Sequence, residues 1–440
     1  MQNKIIEKLR SYNNIAILGY GREGISTYNF IRKYDKDIKL TILDAREITP
    51  EDINTTYKKY NGEEDLLEFD LIIKTPGVPI IGFSDKTKAK ITSQMELLLE
   101  VNSSNVIGIT GTKGKSTTST LIYDILKDQM DKVFLVGNIG VPVLDKIDEY
   151  DNALIVAEMS SHQLETVKVS PHIGIILNLY SDHLDHAGTL ENYHASKMNI
   201  MRHQSSSDYA IYDLDNEYLN KQDFSNVVGN KLTVSINKNA TIYLKDNNIY
   251  LNDKLLLNRD DIVTELKGDN NLKNIMFALL VATLYNLDIN KALISIKNFK
   301  PLEHRMEYVG KYSDINFYND AIATIPEATI SACSTLSDVD TLIFGGMDRG
   351  IDYTKLIDYL NESDINHFIC MPTTGHKLAE HLDQNKVILV DTLKDAVDKA
   401  FLVTEKGKTC IMSPAASSYE YFKNFEEKGR IYKELVRTHE

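Results

Sequence analysis

Cysteine is scarce in this 440-residue chain. Cys333, Cys370 and Cys410 are too few and too scattered for a disulfide framework or a zinc site. That usage suits a reducing compartment and sets the expectation of a cytoplasmic protein. Positive charge is also short, with 49 lysines and arginines against 63 aspartates and glutamates and a net charge of −14. Such a balance argues against a nucleic-acid or anionic-membrane partner and leaves phosphate binding to local lysines and backbone N–H groups. No apolar run approaches a spanning segment, and Met1–Arg10 is charged, without the apolar core of a signal peptide. No low-complexity linker or solenoid repeat is evident. What is present is ordinary for a globular protein, 42% hydrophobic and 25% charged, over a length that suggests about three domains.

The stretch Asn105–Thr118, NVIGITGTKGKSTT, organises the rest. Val106, Ile107 and Ile109 read as a buried parallel strand, and Thr120–Leu126 as a helix. Between them lie Gly111, Thr112, Lys113, Gly114, Lys115, Ser116 and Thr117. A strand, a glycine-bearing turn and a helix N-terminus together make a phosphate cradle. Backbone N–H groups face the anion, the Lys115 ammonium reaches the outer phosphates, and a hydroxyl of Ser116 or Thr117 suits the Mg²⁺ that accompanies ATP. The general P-loop pattern fits imperfectly, because its first glycine falls at Ile109. The bland alternative is a glycine turn in an ordinary strand–helix unit.

Near the N-terminus, a strand at Ile15–Leu18 runs into Gly19-Tyr20-Gly21-Arg22-Glu23-Gly24 and a helix from Ser26. A second strand ends at Asp44, 20 residues beyond Gly24. This is the dinucleotide fingerprint, but the same geometry holds any diphosphate, including a diphosphate-linked sugar. Leu71–Lys74 leads into Thr75-Pro76-Gly77-Val78-Pro79, a stiff turn whose backbone can approach a ligand or simply close a tight loop. Ile91–Val101 reads as a helix into a second domain. There, apolar strands end in Gly137-Asn138-Ile139-Gly140, at Glu158, and at Asn178 before Asp182-His183-Leu184-Asp185-His186. A carboxylate at a strand's C-terminal end is where a parallel sheet presents Mg²⁺ ligands. Tyr209–Lys254 reads as an antiparallel annex, and Asn271–Leu284 and Lys291–Ile296 as helices. After Phe299, strands at Phe317–Asn319, Thr341–Phe344, His367–Cys370, Val387–Val390 and Thr409–Met412 alternate with helices and precede a charged terminal helix. The predicted class is α/β in three domains: a Rossmann-like domain over 1–100, a central P-loop domain over 101–298, and a Rossmann-like C-terminal domain over 299–440.

Five further motifs follow the glycine turn in order. They are Glu158-Met159-Ser160-Ser161-His162-Gln163-Leu164-Glu165, the Asp182–Asp185 cluster, Tyr193-His194-Ala195-Ser196-Lys197, Glu303-His304-Arg305, and Ser413-Pro414-Ala415-Ala416-Ser417-Ser418 with Phe422-Lys423-Asn424-Phe425-Glu426. With the short turn Gly-Thr-x-Gly-Lys-Ser-Thr, this set resembles the Mur ligase family over nearly the whole chain, and its last motif resembles the glutamate-adding branch. The resemblance implies an ATP-dependent amide ligase that adds glutamate to UDP-N-acetylmuramoyl-L-alanine through an acyl phosphate, in peptidoglycan precursor synthesis. It further implies a cytoplasmic monomer with ATP, Mg²⁺ at two sites and a carbamylated Lys197. Lys115, His183 and Lys197 are then catalytic, and Ser116, Thr117, Glu158, His183 and Lys197 hold metal. The cradle residues are joined around ATP by Asn271, Asn274, His304, Arg305 and Asp320. Gly19, Gly21, Gly24, Asp44, Thr75 and Gly77 face the UDP part, Asn138 and Ser160 the muramoyl-alanine part, and Thr324, Arg349, Ser418 and Phe425 the acceptor.

Two departures from that resemblance concern the acceptor. Asp320-Ala321-Ile322-Ala323-Thr324-Ile325 lacks the lysine of Asp-Ser-Lys-Ala-Thr-Asn and is followed by Pro326, and Gly345-Gly346-Met347-Asp348-Arg349-Gly350 has arginine for lysine. An arginine clamps a carboxylate through two parallel N–H bonds, so the exchange is not neutral. D-glutamate is the leading acceptor, with L-glutamate or a folylpolyglutamate synthase-like ligase as alternatives. From other classes come an NAD-dependent oxidoreductase built on Gly19–Gly24, a metal-dependent hydrolase built on Asp182, His183, Asp185 and His186, and a non-catalytic ATP-gated binding subunit. Taken singly, His183 reads as a helix cap, Lys197 as a surface lysine, and Glu158 as a cap of the next helix.

Overall fold

The structure is a computed structural model that describes every residue except Glu51, Pro79, 81–86, Gly140, 181–188, 301–302, Ser337 and Glu440. The expectations for Pro79, Gly140 and the Asp182, His183, Asp185 and His186 cluster lie outside the described residues. The chain forms two compact units, Met1–Glu265 with Asp269–Phe299, and Leu266–Gly268 with Lys300–Glu440.

Two sheets build the first unit. The N-terminal sheet has β1 (Ile15–Leu18), β2 (Leu40–Asp44), β3 (Thr55–Lys59), β4 (Leu71–Lys74) and β5 (Lys90–Thr92), ordered β3-β2-β1-β4-β5. All of its pairings are parallel. The second sheet contains β6 (Val106–Thr110), β7 (Val133–Gly137), β8 (Leu154–Glu158), β9 (Ile173–Ile176), β10 (Tyr209–Asp213), β11 (Asn230–Ser235), β12 (Ile242–Lys245), β13 (Asn248–Leu251) and β14 (Lys254–Asn258). Its order is β14-β13-β12-β11-β10-β9-β6-β8-β7. Strands β6, β8 and β9 are buried along their whole length, as near-continuous apolar runs in a covered parallel sheet should be. In the second unit, β15 (Glu307–Tyr312), β16 (Ile315–Asn319), β17 (Val339–Phe344), β18 (His367–Cys370), β19 (Val387–Leu389) and β20 (Thr409–Met412) form one sheet, ordered β15-β16-β20-β17-β18-β19. Only its β15 edge runs antiparallel. The α/β class with parallel-dominated sheets is as expected.

Two readings need correction. Ile91 and Thr92 belong to β5, with Ile91 beside Ile72, and the helix is Gln94–Asn102. Ser93 starts it, accepting the Glu96 N–H at 3.2 Å, so the apolar pattern around Ile91 continues a sheet rather than a helix. The annex over Tyr209–Lys254 is antiparallel only at β12–β14, whereas β10, β11 and β12 extend the parallel sheet. Alternating apolar residues identify a strand but carry no direction. Two helices also start a full turn or more earlier than expected, at Arg22 and at Lys115, where glycine and polar first turns hide the periodicity.

Candidate nucleotide and substrate site

The chain from β6 enters the turn at Gly111, and Gly114 caps the helix Lys115–Lys127 with φ +83°. A Cβ at Gly114 would also sit 2.8 Å from Asn274 Oδ1, so the glycine serves both the left-handed turn and the close approach of the helix Asp269–Leu284. Asn274 is buried and donates to Asn271 Oδ1 at 3.2 Å, which brings these two residues expected around ATP beside the cradle. Asn178, just after β9, splints the turn: its Oδ1 accepts the Lys113 N–H at 2.8 Å and its Nδ2 donates to the Lys113 carbonyl at 3.1 Å. The Thr112 hydroxyl accepts the Tyr180 N–H at 3.0 Å and the Tyr193 hydroxyl at 3.3 Å. Lys115 donates to the carbonyls of Gly111 and Thr112 at 2.8 and 3.0 Å, which sets its charge over the turn. Lys197, only 1% exposed, donates to the same Gly111 carbonyl at 3.1 Å and lies 4.7 Å from the Tyr193 ring centre. The surface-lysine alternative for Lys197 is therefore excluded.

Glu158 ends β8, paired with Gly137 on one side and Ile109 on the other. It is fully buried, and its Oε1 accepts the Asn138 side-chain N–H at 2.7 Å. Its Oε2 has no hydrogen-bond partner among the described residues. A buried carboxylate oxygen is costly to leave unpaired, and a divalent cation at this strand end, with the expected Ser116 and Thr117 hydroxyls, would answer that need. The donor set is hard oxygen throughout, so the residues fit Mg²⁺. Among the described residues no group of three or more His, Cys, Asp or Glu side chains gathers as a metal centre, and His183 lies outside them.

A cavity of about 380 Å³ is lined by Gly19, Gly21, Asp44, Thr75, Gly77 and Asn138, among others, so it unites the glycine turn, the Thr-Pro-Gly turn and the loop after β7. A Cβ at Gly24 would meet the Gly19 carbonyl oxygen at 2.1 Å, while Gly21 has open space before it. Gly24 thus serves packing, and Gly21 leaves room for a ligand. Asp44 accepts the Tyr20 N–H at 2.7 Å and is bridged by Arg46 at 2.9 Å; the Arg46 guanidinium holds its carboxyl down to about 2. It is an anionic brace for the turn. Ser160 is engaged in a capping box with Gln163 at the start of the helix Ser161–Leu164, and Gln163 donates onward to Glu23 at 2.8 Å.

In the second unit, the loops after β16, β17 and β20 leave the same edge of the sheet. Backbone bonds join them: Asp320 N–H to Met412 O at 2.8 Å, Gly345 N–H to Pro414 O at 2.9 Å, and Met347 N–H to Ser417 O at 2.9 Å. Asp320 is buried and accepts from the Met306 N–H and the Ser413 hydroxyl, so its carboxylate also ties these loops. Half-buried Thr324 lies just before the helix Pro326–Thr335, where Pro326 takes the first-turn position that tolerates proline. Arg349 is exposed on its turn, and the buried Ser418 hydroxyl has no hydrogen-bond partner among the described residues. Phe425 begins the helix Phe425–Arg437 and packs edge-on to His304, with ring centres 6.2 Å apart. His304 is buried, with its Nδ1 bonded by Asn319 at 2.9 Å, and burial lowers its pKa. Arg305, beside it, is half-buried.

Residues 109–282 match the Mur ligase middle domain, and residues 304–416 match the Mur ligase, glutamate ligase domain. The chain belongs to the Mur ligase family. It is 34% identical to the UDP-N-acetylmuramoylalanine–D-glutamate ligase of Clostridium acetobutylicum over 96% of both chains. It is 31% identical to the same-named ligase of Oenococcus oeni over 98% of both. The MurF ligase of Thermotoga maritima, solved in complex with ADP, shares the fold with a TM-score of 0.63 at 17% identity, covering 97% of this chain and 95% of that one.

Within this Mur ligase, the sequence reading missed Asn178 and Tyr193 as partners of the cradle. Asn178 carried a signal, since it follows a buried strand beside the cradle strand. Tyr193 stands in a quoted motif.

Proposed function

We propose that this Mur ligase joins D-glutamate to UDP-N-acetylmuramoyl-L-alanine, with ATP cleaved to ADP and phosphate. The observation that carries the reading is the buried, half-satisfied Glu158 carboxylate at a strand end beside the glycine cradle. Amide formation needs an activated carboxylate. Its oxygen bonds to the γ-phosphorus as the bond to ADP breaks, and the glutamate amine then displaces phosphate from the carbonyl carbon. Lys115 and the N–H groups of the turn offset charge on the transferring phosphoryl group, and the helix N-terminus faces the anion. Mg²⁺, when bound, would supply charge neutralisation and orientation; Ser116, Thr117 and Glu158 would hold one ion, and His183 with a carbamylated Lys197 would hold a second. Carbamylation of Lys197 would turn an ammonium that repels a cation into an anionic oxygen ligand, and the carbamate nitrogen would keep an N–H for the Gly111 carbonyl.

The division of labour we propose gives 1–100 the UDP moiety, 101–298 ATP, and 299–440 the amino acid. The chain would act as a cytoplasmic monomer serving cell-wall synthesis, and so cell shape and division. D-glutamate is preferred to L-glutamate on the names of the full-length relatives. The test is ADP release with UDP-N-acetylmuramoyl-L-alanine and each glutamate enantiomer in turn. Release with the D form alone supports the reading; release with the L form alone, or without any UDP-sugar, overturns it.

A further inference from the structure

We propose that Lys428 is a positioning residue of the acceptor site, its side-chain nitrogen fixing the root of the turn that carries Arg349. The inference rests on the acceptor role proposed above for the C-terminal unit. Lys428 lies in the first turn of the helix Phe425–Arg437 and is 1% exposed. Its Nζ donates to the Gly345 carbonyl at 2.9 Å and lies 5.8 Å from the Phe422 ring centre. Buried lysines are normally matched by a carboxylate, and here the bonded partner is a neutral carbonyl. Desolvation alone pushes the amine down to about 7. A methionine would fill the same space without stripping an ammonium of water, so packing gives no reason for a lysine here.

The carbonyl it holds is well placed to give one. Gly345 directly follows β17 and opens the Gly345–Gly350 turn. Its N–H is bonded to Pro414, so Lys428 completes the fixing of that residue from the other side. The Gly346 carbonyl then accepts from Thr373 and Thr374 at 3.0 and 2.9 Å, and the Met347 N–H reaches Ser417 at 2.9 Å. Arg349 lies two residues beyond the last of these anchors, and Ser418 one residue beyond its partner. Lys428 thus sits where the Arg349 and Ser418 loops join, touching neither side chain in the geometry described. Either protonation form of the amine has an N–H to donate, and an arginine can take over the bond.

The experiment compares Lys428→Met and Lys428→Arg with the unaltered enzyme, measuring KM for D-glutamate, KM for ATP, kcat and thermal midpoint. The expected result for Lys428→Met is a KM for D-glutamate raised about tenfold, as loss of one buried hydrogen bond to a site loop implies. KM for ATP and kcat stay within about twofold, and Lys428→Arg returns the KM to within about threefold. An unchanged KM in Lys428→Met, failure of arginine to rescue, or a parallel rise in both KM values overturns the proposal. So does a Lys428→Met protein that no longer folds, which would make Lys428 a stability residue. If the unaltered enzyme makes no product with D-glutamate, the acceptor reading itself has failed, and that result is distinct from all of these.

Discussion

At the scale of single residues, the site depends on a few charges whose surroundings were chosen by the fold. Replacing Lys115 with alanine removes the cation above the turn, with an expected fall in ATP-dependent phosphate release of about a thousandfold, read by a coupled ADP assay. Glu158→Gln keeps the bond to Asn138 but makes the orphaned oxygen site neutral. The expected outcome is a severalfold higher Mg²⁺ concentration for half-maximal rate, and an unchanged requirement would remove Glu158 from the metal site. Arg349→Ala is expected to raise KM for glutamate about tenfold while sparing KM for ATP. Lys428 also makes a prediction in pH. Its folded pKa of about 7 lies below the roughly 10.4 of an unfolded lysine, so between these values the unfolded chain binds more protons. Stability of the unaltered protein relative to Lys428→Met should therefore rise from pH 7 towards pH 10, as read from denaturant midpoints. A flat difference would contradict the burial argument.

Elements decide which of these residues meet, and here legibility in the sequence was uneven. Strands β1, β4, β18 and β20 stand where their apolar runs place them, because buried parallel strands are nearly continuous hydrophobic segments. The cradle was equally plain, since glycine, lysine and hydroxyls follow such a strand at fixed spacing. Strand β3, Thr55–Lys59, was missed because a sheet edge with one buried residue leaves no apolar pattern. The bond between Asn178 and Lys113, and that between Lys428 and Gly345, span 65 and 83 residues, a separation that no local pattern reports. His304 was legible as a family position, but its contacts with Asn319 and Phe425 come from packing. For the cradle itself, Gly114→Ala meets both a positive φ and the Asn274 side chain. It is expected to weaken ATP binding at least tenfold while leaving UDP-sugar binding intact, checked by titrating each ligand separately.

Across the whole molecule, one design recurs: parallel sheets place ligand-facing loops at the C-terminal ends of their strands. The glycine turn after β1, the cradle after β6, Glu158 at the end of β8, and the Asp320, Gly345 and Ser413 loops all obey it. An oxidoreductase built on the first turn alone would leave the cradle without a task, which membership of the Mur ligase family gives it. The proposed ligation makes one demand that can be followed atom by atom. With oxygen-18 in both carboxylate oxygens of the UDP-N-acetylmuramoyl-L-alanine substrate, an acyl phosphate route transfers one labelled oxygen to the released phosphate for every amide bond made. Mass analysis of that phosphate should show a single label per turnover; phosphate without label, alongside amide product, would contradict activation of the carboxylate by ATP.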